Sequence, residues 1–308
     1  MIKVFIDGSN GTTGLRLRER IEKRDDVELI TLPDEIRKDP GARADAINSS
    51  DVTFLCLPDD AAGEAVSLVK NDRTVVIDTS TARRTLAPWA YGFPELAPDF
   101  EDKIRAGKRI AVPGCHASGF IALARPLVEA GIIAPDAPLN CFSLTGYSGG
   151  GKKMIKEYES DGRPAELDSP RVYGIGQTHK HLKEMKIISG VTREPVFIPV
   201  VSDFYSGMEV TVPLFADQVR GGVETIKQIY REKYNTKIVY FSEDAGEDGF
   251  MASNALSGKD SMEISVKGNE ERILLVARYD NLGKGASGAA LECFNLVTGN
   301  DPEKGLVL

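Results

Sequence analysis

Residues 2–14 read IKVFIDGSNGTTG, and LRLRERIEKR follows at 15–24. The opening stretch is rich in β-branched and aromatic side chains and runs straight into a glycine turn. Apolar residues then recur at Leu15, Leu17 and Ile21 among charges, which predicts a helix. Strand, glycine turn and helix in immediate succession make the first βα unit of a dinucleotide-binding fold. Glycine lets the backbone turn sharply and approach a pyrophosphate, and the N–H groups that open the helix attract its charge. Gly8, Gly11, Thr12, Thr13 and Gly14 are therefore candidate cofactor contacts. The spacing is GxxGxxG rather than GxGxxG, so the position after strand one carries the reading against a ligand-free turn. Beyond a second strand at 27–32, no acid stands at the strand end to hold a ribose hydroxyl. Arg37 and Lys38 lie a little further on and suit a 2′-phosphate, which favours NADP(H); a solvated helix face is their other explanation.

The pattern continues outward from this unit. Residues 42–47 and 61–70 read as helices, and 51–58, 74–80 and 109–114 as strands. Alternation at this pace predicts a parallel, doubly wound α/β sheet. A long helix follows at 119–131. From about residue 190 strands dominate (VFIPVV, MEVTVPLF, KIVYF, MEISV, RILLVARY), with one helix at 223–234 and another at 288–299. Successive strands with few helices predict a second, α+β domain with a mixed or antiparallel sheet.

A chain of 308 residues has room for two modest domains. The net charge of −8 argues against a general nucleic-acid surface. No window approaches the roughly 18 apolar residues of a membrane helix, and the apolar start is too short for a cleavable signal. Cys56, Cys115, Cys141 and Cys293 are scattered without ligand spacing, so neither a disulfide framework nor a metal site is expected, and a reducing cytoplasm is the simplest setting.

Four motifs carry chemistry. Cys115, in Pro113-Gly114-Cys115-His116-Ala117-Ser118-Gly119, sits on an elbow between a strand and a helix rich in small residues. The helix dipole there would favour a thiolate; spacing alone leaves open whether it is a nucleophile or an inert thiol, the reading taken for the other three cysteines. Among only three histidines, His179 and His181 are the better acid/base candidates, because an imidazole can take a thiol proton at neutral pH. Ser148-Gly149-Gly150-Gly151-Lys152-Lys153 offers backbone N–H groups and lysine charge to a substrate carboxylate or phosphate, without P-loop spacing; a flexible hinge is the alternative. Arg83 and Lys152 are further candidates for such an anion, with Ser148 and Gly149. Asp280–Gly288 is a third glycine-rich strand-to-helix turn, and its Asn281, Lys284 and Gly285 are candidate cofactor contacts if the last helix returns to the first domain.

GSNGTTG, YGFPEL (91–96), PGCHASG (113–119), GYSGGGK (146–152), HKHLKEM (179–185) and DNLGKGASG (280–288) stand in the order seen in N-acetyl-gamma-glutamyl-phosphate reductases. The chain resembles the shorter of that family's two forms across nearly its whole length and is similar, more distantly, to aspartate-semialdehyde dehydrogenase. The resemblance implies an arginine-biosynthesis enzyme that converts N-acetylglutamyl 5-phosphate to the 5-semialdehyde with NADP(H) through a cysteine thioester. It also implies a Rossmann domain, divided here as 1–115 plus 284–308, and a catalytic and oligomerising domain at 116–283, with a homodimer or homotetramer as the assembly. Two positions depart from the family pattern: His116 stands where a tyrosine is usual, and Lys183 precedes Glu184 where the pattern is HxHxPE. Reduction of another acyl phosphate, of the aspartyl type, and a non-catalytic NADP(H) sensor are the alternatives.

Overall fold

The computed structural model describes residues 1–308, which divide into two compact units, Met1–Pro113 with Ala286–Leu306, and Gly114–Gly285 with Val307–Leu308. The first opens with β1 (Ile2–Asp7), α1 (Thr12–Ile21), β2 (Val27–Ile30), α2 (Pro40–Ser49) and β3 (Val52–Leu55). It continues with α3 (Asp59–Ser67), β4 (Val75–Asp78), β5 (Ala90–Tyr91), α4 (Pro98–Ala106) and β6 (Arg109–Ala111). All its strand pairs are parallel, in the order β2-β1-β3-β4-β6-β5. Strands covered on both faces are mostly apolar, and VTFL of β3 and VVID of β4 are buried at every position, with Thr53 and Asp78 as their polar members. The pleat sends Val4 and Ile6 to one core and Phe5 to the other. The chain order reverses between β1 and β3, so the loop after β1 opens at a switch point of the sheet, where doubly wound folds bind ligands.

The second unit carries α5 (Cys115–Glu129), β7 (Asn140–Gly146), α6 (Gly151–Tyr158), β8 (Arg171–Val172), α7 (His181–Ser189) and β9 (Val196–Ser202). There follow β10 (Met208–Phe215), α8 (Gly222–Lys233), β11 (Val239–Phe241), β12 (Met262–Gly268) and β13 (Arg272–Tyr279). Its seven strands form a mixed sheet, β11-β12-β13-β10-β7-β9-β8. One face packs on α5, whose buried side is apolar but for His116 and Ser118; the other leaves Phe142, Phe215 and Leu274 exposed.

The chain then returns to the first unit. α9 (Gly288–Val297) adds Ala289, Leu291 and Phe294 to the core of Val4, Leu17, Val52 and Ile77. Phe294 meets Phe54 with ring centroids 5.8 Å apart, and burying such a side chain stabilises by about 2–3 kcal/mol. Two details differ from the sequence reading. The helix expected from residue 119 begins at Cys115, because Gly114 caps it and nothing before Pro126 interrupts it. The sequence reading has no counterpart for α4, a short helix in which Ile104 is the single buried residue.

Candidate active site

In the first unit, the turn after β1 is built by packing. Gly8 has φ +86°, and a Cβ there would lie 2.3 Å from the Cys56 carbonyl oxygen. A Cβ on Gly14 would lie 2.3 Å from the Gly8 oxygen, so these two glycines let helix and strand close on each other. Gly11 is different: its nearest neighbour would be 3.4 Å away, so the protein's own packing does not require it. It caps α1 without any side-chain bond, which leaves first-turn N–H groups for another partner. The Thr12 hydroxyl is buried with no hydrogen-bond partner, a state that costs about 1–3 kcal/mol until an acceptor or donor arrives. The residues just ahead of Thr12 in the turn, Gly8, Ser9 and Asn10, line a cavity of about 400 Å³ together with Thr31, Arg37 and Lys38. A bare cap, an orphaned hydroxyl and a cavity whose lining sets four cations, Arg18, Arg37, Lys38 and Arg43, against three carboxylates, Asp7, Asp34 and Glu64, fit a phosphate-bearing dinucleotide. Arg37 is itself paired with exposed Asp34 at 3.2 Å. Asp7 and Arg43 also line the cavity, bonded at 3.0 Å, and burial raises the Asp7 carboxyl above its ordinary range despite Arg43. Arg83, in the same unit, reaches Asp78 at 3.4 Å and stacks 5.2 Å from the Trp89 ring.

In the second unit, Cys115 is the first residue of a 15-residue helix and is half-buried. Its backbone is held from three directions. The Gly114 N–H donates to buried Glu184 Oε1 at 2.8 Å. The Tyr279 hydroxyl donates to the Cys115 carbonyl at 2.5 Å and accepts from the Gly119 N–H at 3.0 Å. A Cβ on Gly285 would stand 3.1 Å from Cys115 Cβ and 3.5 Å from Cys115 Cα, which leaves little room for a side chain between the two residues. Gly285 therefore packs against the sulfur-bearing residue.

The structure gathers all three histidines. His179 and His181 rings lie 4.7 Å apart, and each is 5.7 Å from His116. The His181 backbone N–H donates to His179 Nδ1 at 3.2 Å, so a neutral His179 carries its proton on Nε2. His116 is buried, and desolvation, with His179 nearby, lowers its pKa to about 3. Gln177 anchors the loop ahead of the pair: its side chain donates to Phe197 O at 2.7 Å and accepts from Phe197 N at 2.9 Å.

Asn281 stands with the serine loop. Its Nδ2 donates to Ser148 Oγ at 3.0 Å, and its Oδ1 accepts from the Gly207 N–H at 2.9 Å; a Cβ on Gly149 would lie 3.4 Å from that Nδ2. Two residues read separately as substrate and cofactor contacts are thus neighbours. Lys284 is buried and Lys152 is exposed on the first turn of α6.

Glu184, Tyr173, Tyr279 and Asp280 are not among the candidate site residues of the sequence, although Glu184 and Asp280 lie within two of its motifs. Glu184 lies one helical turn after His181, a spacing that was available as a signal. Tyr279 ends an apolar strand and looks like any core aromatic. Burial raises the Cys56 thiol to about 12 and raises Cys141 too, while Cys293 is buried within α9.

The semialdehyde dehydrogenase dimerisation-domain family matches residues 115–281, over half of the chain. The chain is 43% identical over 318 residues to the N-acetyl-gamma-glutamyl-phosphate reductase 2 of Nostoc sp., covering 99% of each. It is also 43% identical over 306 residues to the N-acetyl-gamma-glutamyl-phosphate reductase of Sinorhizobium medicae, covering 96% of this chain and 98% of that one. Among solved structures it is similar to aspartate semialdehyde dehydrogenase II of Vibrio cholerae, with TM-score 0.72 and 17% identity over 97% of this chain and 98% of that one. The aspartate semialdehyde dehydrogenase of Candida albicans with NADP gives TM-score 0.68 and 17% identity over 97% and 98%. At such identities these structures show the shared fold.

Proposed function

The chain belongs to the N-acetyl-gamma-glutamyl-phosphate reductase family, and from that premise we propose that it reduces N-acetylglutamyl 5-phosphate to N-acetylglutamate 5-semialdehyde with NADPH, a step of arginine biosynthesis. The observation that carries the reading is Cys115, held on three sides at the start of α5. A histidine, His179 or His181, accepts the thiol proton. The sulfur attacks the acyl carbon, the carbon–oxygen bond to phosphate breaks, and phosphate departs with the electron pair to leave a thioester on Cys115. NADPH, when bound, supplies the hydride that reduces the thioester carbonyl. First-turn N–H groups of α5 stabilise the oxyanion. The carbon–sulfur bond then breaks, which releases the aldehyde and restores the thiolate.

Gly8, Gly11, Thr12, Thr13 and Gly14 take the cofactor pyrophosphate, with Thr12 supplying the hydroxyl that now lacks a partner. Arg37 and Lys38 give the cavity its preference for a 2′-phosphate. Asn281, Lys284 and Gly285 complete the cofactor contacts from the turn after β13. Ser148, Gly149, Lys152 and Arg83 receive the substrate's phosphate or carboxylate. In domain terms, 1–115 with 284–308 binds the cofactor, and 116–283 carries catalysis and self-association. A second copy covers the apolar sheet face of Phe142, Pro213, Phe215 and Leu274, in a homodimer or a tetramer of such dimers. No helix is long and apolar enough to cross a membrane, and a cytoplasmic setting suits a nucleophilic thiol.

The test is the Cys115→Ser variant assayed for phosphate-dependent NADP⁺ reduction with N-acetylglutamate semialdehyde. Loss of nearly all turnover is expected; a variant that keeps most of it overturns the thioester route. Faster turnover of aspartate semialdehyde by the unaltered protein would move the assignment to the aspartyl type.

A further inference from the structure

We infer that His116 is a positioning residue, a strut between β7 and Tyr173 that sets the loop bearing His179 and His181 against the Cys115 helix. The inference rests on Cys115 being the nucleophile. His116 is the second residue of α5, and its side chain points inward and is 3% exposed. Nδ1 lies 2.7 Å from Ser143 Oγ on β7, and Nε2 lies 2.5 Å from the Tyr173 hydroxyl. A neutral imidazole has one donor and one acceptor, and a hydroxyl can play either part. Both ring nitrogens are therefore committed in either tautomer, and neither is left to exchange a proton with substrate. Burial keeps the ring uncharged at neutral pH, so it adds no positive charge beside the other two imidazoles.

The rings of Tyr173, His179, His181 and Phe197 all lie 5.3–5.9 Å from the His116 ring. The segment from Tyr173 to His181 has little regular backbone pairing of its own. It is held by Tyr173 N–H to Pro199 O at 3.0 Å and by the Gln177 clip on Phe197. The Tyr173–His116 bond ties this segment to the cysteine helix itself. Burial raises the Tyr173 phenol, and charge on Cys115 raises it further.

Two substitutions separate the ends of the strut. In His116→Gln the amide stands near the position of Nε2 and keeps a partner for Tyr173; in His116→Asn it stands near Nδ1 and keeps only Ser143. Steady-state kinetics, the rate of Cys115 alkylation by iodoacetamide across pH, and urea unfolding are measured for both, with Tyr173→Phe alone and combined with His116→Asn. The expected result is a kcat about tenfold lower for His116→Asn, KM little changed, and activity largely restored in His116→Gln. Tyr173→Phe reproduces the loss, and the double variant is no worse than either single one. The pH profile keeps its midpoints. Equal losses in Asn and Gln that follow the unfolding midpoint overturn the inference in favour of packing alone. Disappearance of one limb of the pH profile in both variants overturns it too, by making His116 the proton carrier. Failure of the thioester route is seen separately, as turnover retained by Cys115→Ser.

Discussion

Adding one methyl group at Gly285 tests how closely the nucleophile is held. In Gly285→Ala the new Cβ would lie 3.1 Å from Cys115 Cβ, 3.5 Å from Cys115 Cα and 3.1 Å from Asp280 O. Non-bonded carbons settle at about 3.5–4.0 Å, so something must retreat by about half an ångström. Asp280 is poorly placed to do so: its carboxylate accepts from Ser206 Oγ at 2.9 Å, Leu282 N at 2.6 Å and Gly258 N at 2.5 Å. The displacement therefore falls on Cys115. A misplacement of about 1 Å at a reacting centre can cost about 100-fold, so half of that corresponds to about tenfold in rate, or ~1.4 kcal/mol of transition-state stabilisation. Overpacking adds a stability loss of about 1–3 kcal/mol. The assay pairs kcat/KM at saturating cofactor with the alkylation rate of Cys115 and a urea unfolding curve. A cooperatively folded variant with both rates within about twofold of the parent refutes the reasoning, since that is well under the tenfold expected. A rise confined to the cofactor KM would instead make Gly285 a cofactor contact with no hold on the sulfur.

Gly8→Ala places a Cβ 2.3 Å from the Cys56 oxygen at φ +86°, so a loss of about 3 kcal/mol or more is expected in urea unfolding; an unchanged midpoint counts against the steric reading of the turn. Thr12→Val removes a hydroxyl that has no protein partner, so stability should hold or rise while the cofactor Kd, followed by NADPH fluorescence, weakens about fivefold to tenfold. An unchanged Kd would detach Thr12 from the phosphate. Asp26 is bonded to Arg24 at 2.8 and 2.9 Å and to Lys304 at 2.8 Å, and the Arg24 bond holds its carboxyl well below the usual range. A depressed carboxyl stabilises the fold above the ordinary aspartate value of 3.8 and loses that contribution as pH falls through the folded value. Asp26→Asn should therefore cost about 1 kcal/mol at pH 7, and the gap from the parent should narrow below the ordinary aspartate value. A gap that widens in acid would reverse the sign.

The parallel unit was legible because its signals are local. A strand covered on both faces reads as a nearly continuous apolar run, and a glycine at positive φ against a carbonyl tolerates no other residue. The order of the six motifs pointed to the family. Cys115 and the His179–His181 pair were legible from residue type and from the strand-to-helix elbow, but their supports were not. Glu184, Tyr173 and Tyr279 act through hydrogen bonds to partners 70, 57 and 164 positions away along the chain; no short-range pattern encodes such a bond. Asn281 illustrates the same limit: its place beside Ser148 depends on a separation of 133 residues.

The last helix also bears on how the chain is made. Its alanines and Phe294 fill one side of a core whose other members, from Val4 to Val112, leave the ribosome well over a hundred residues earlier. Until α9 emerges, the nascent sheet has an uncovered apolar flank, while residues 114–285 hold their own sheet and helices and can fold first. Such long-range closure slows assembly and lengthens the time that sticky surface is presented. Nascent-chain protease protection should accordingly appear in the middle of the sequence before it appears at the beginning.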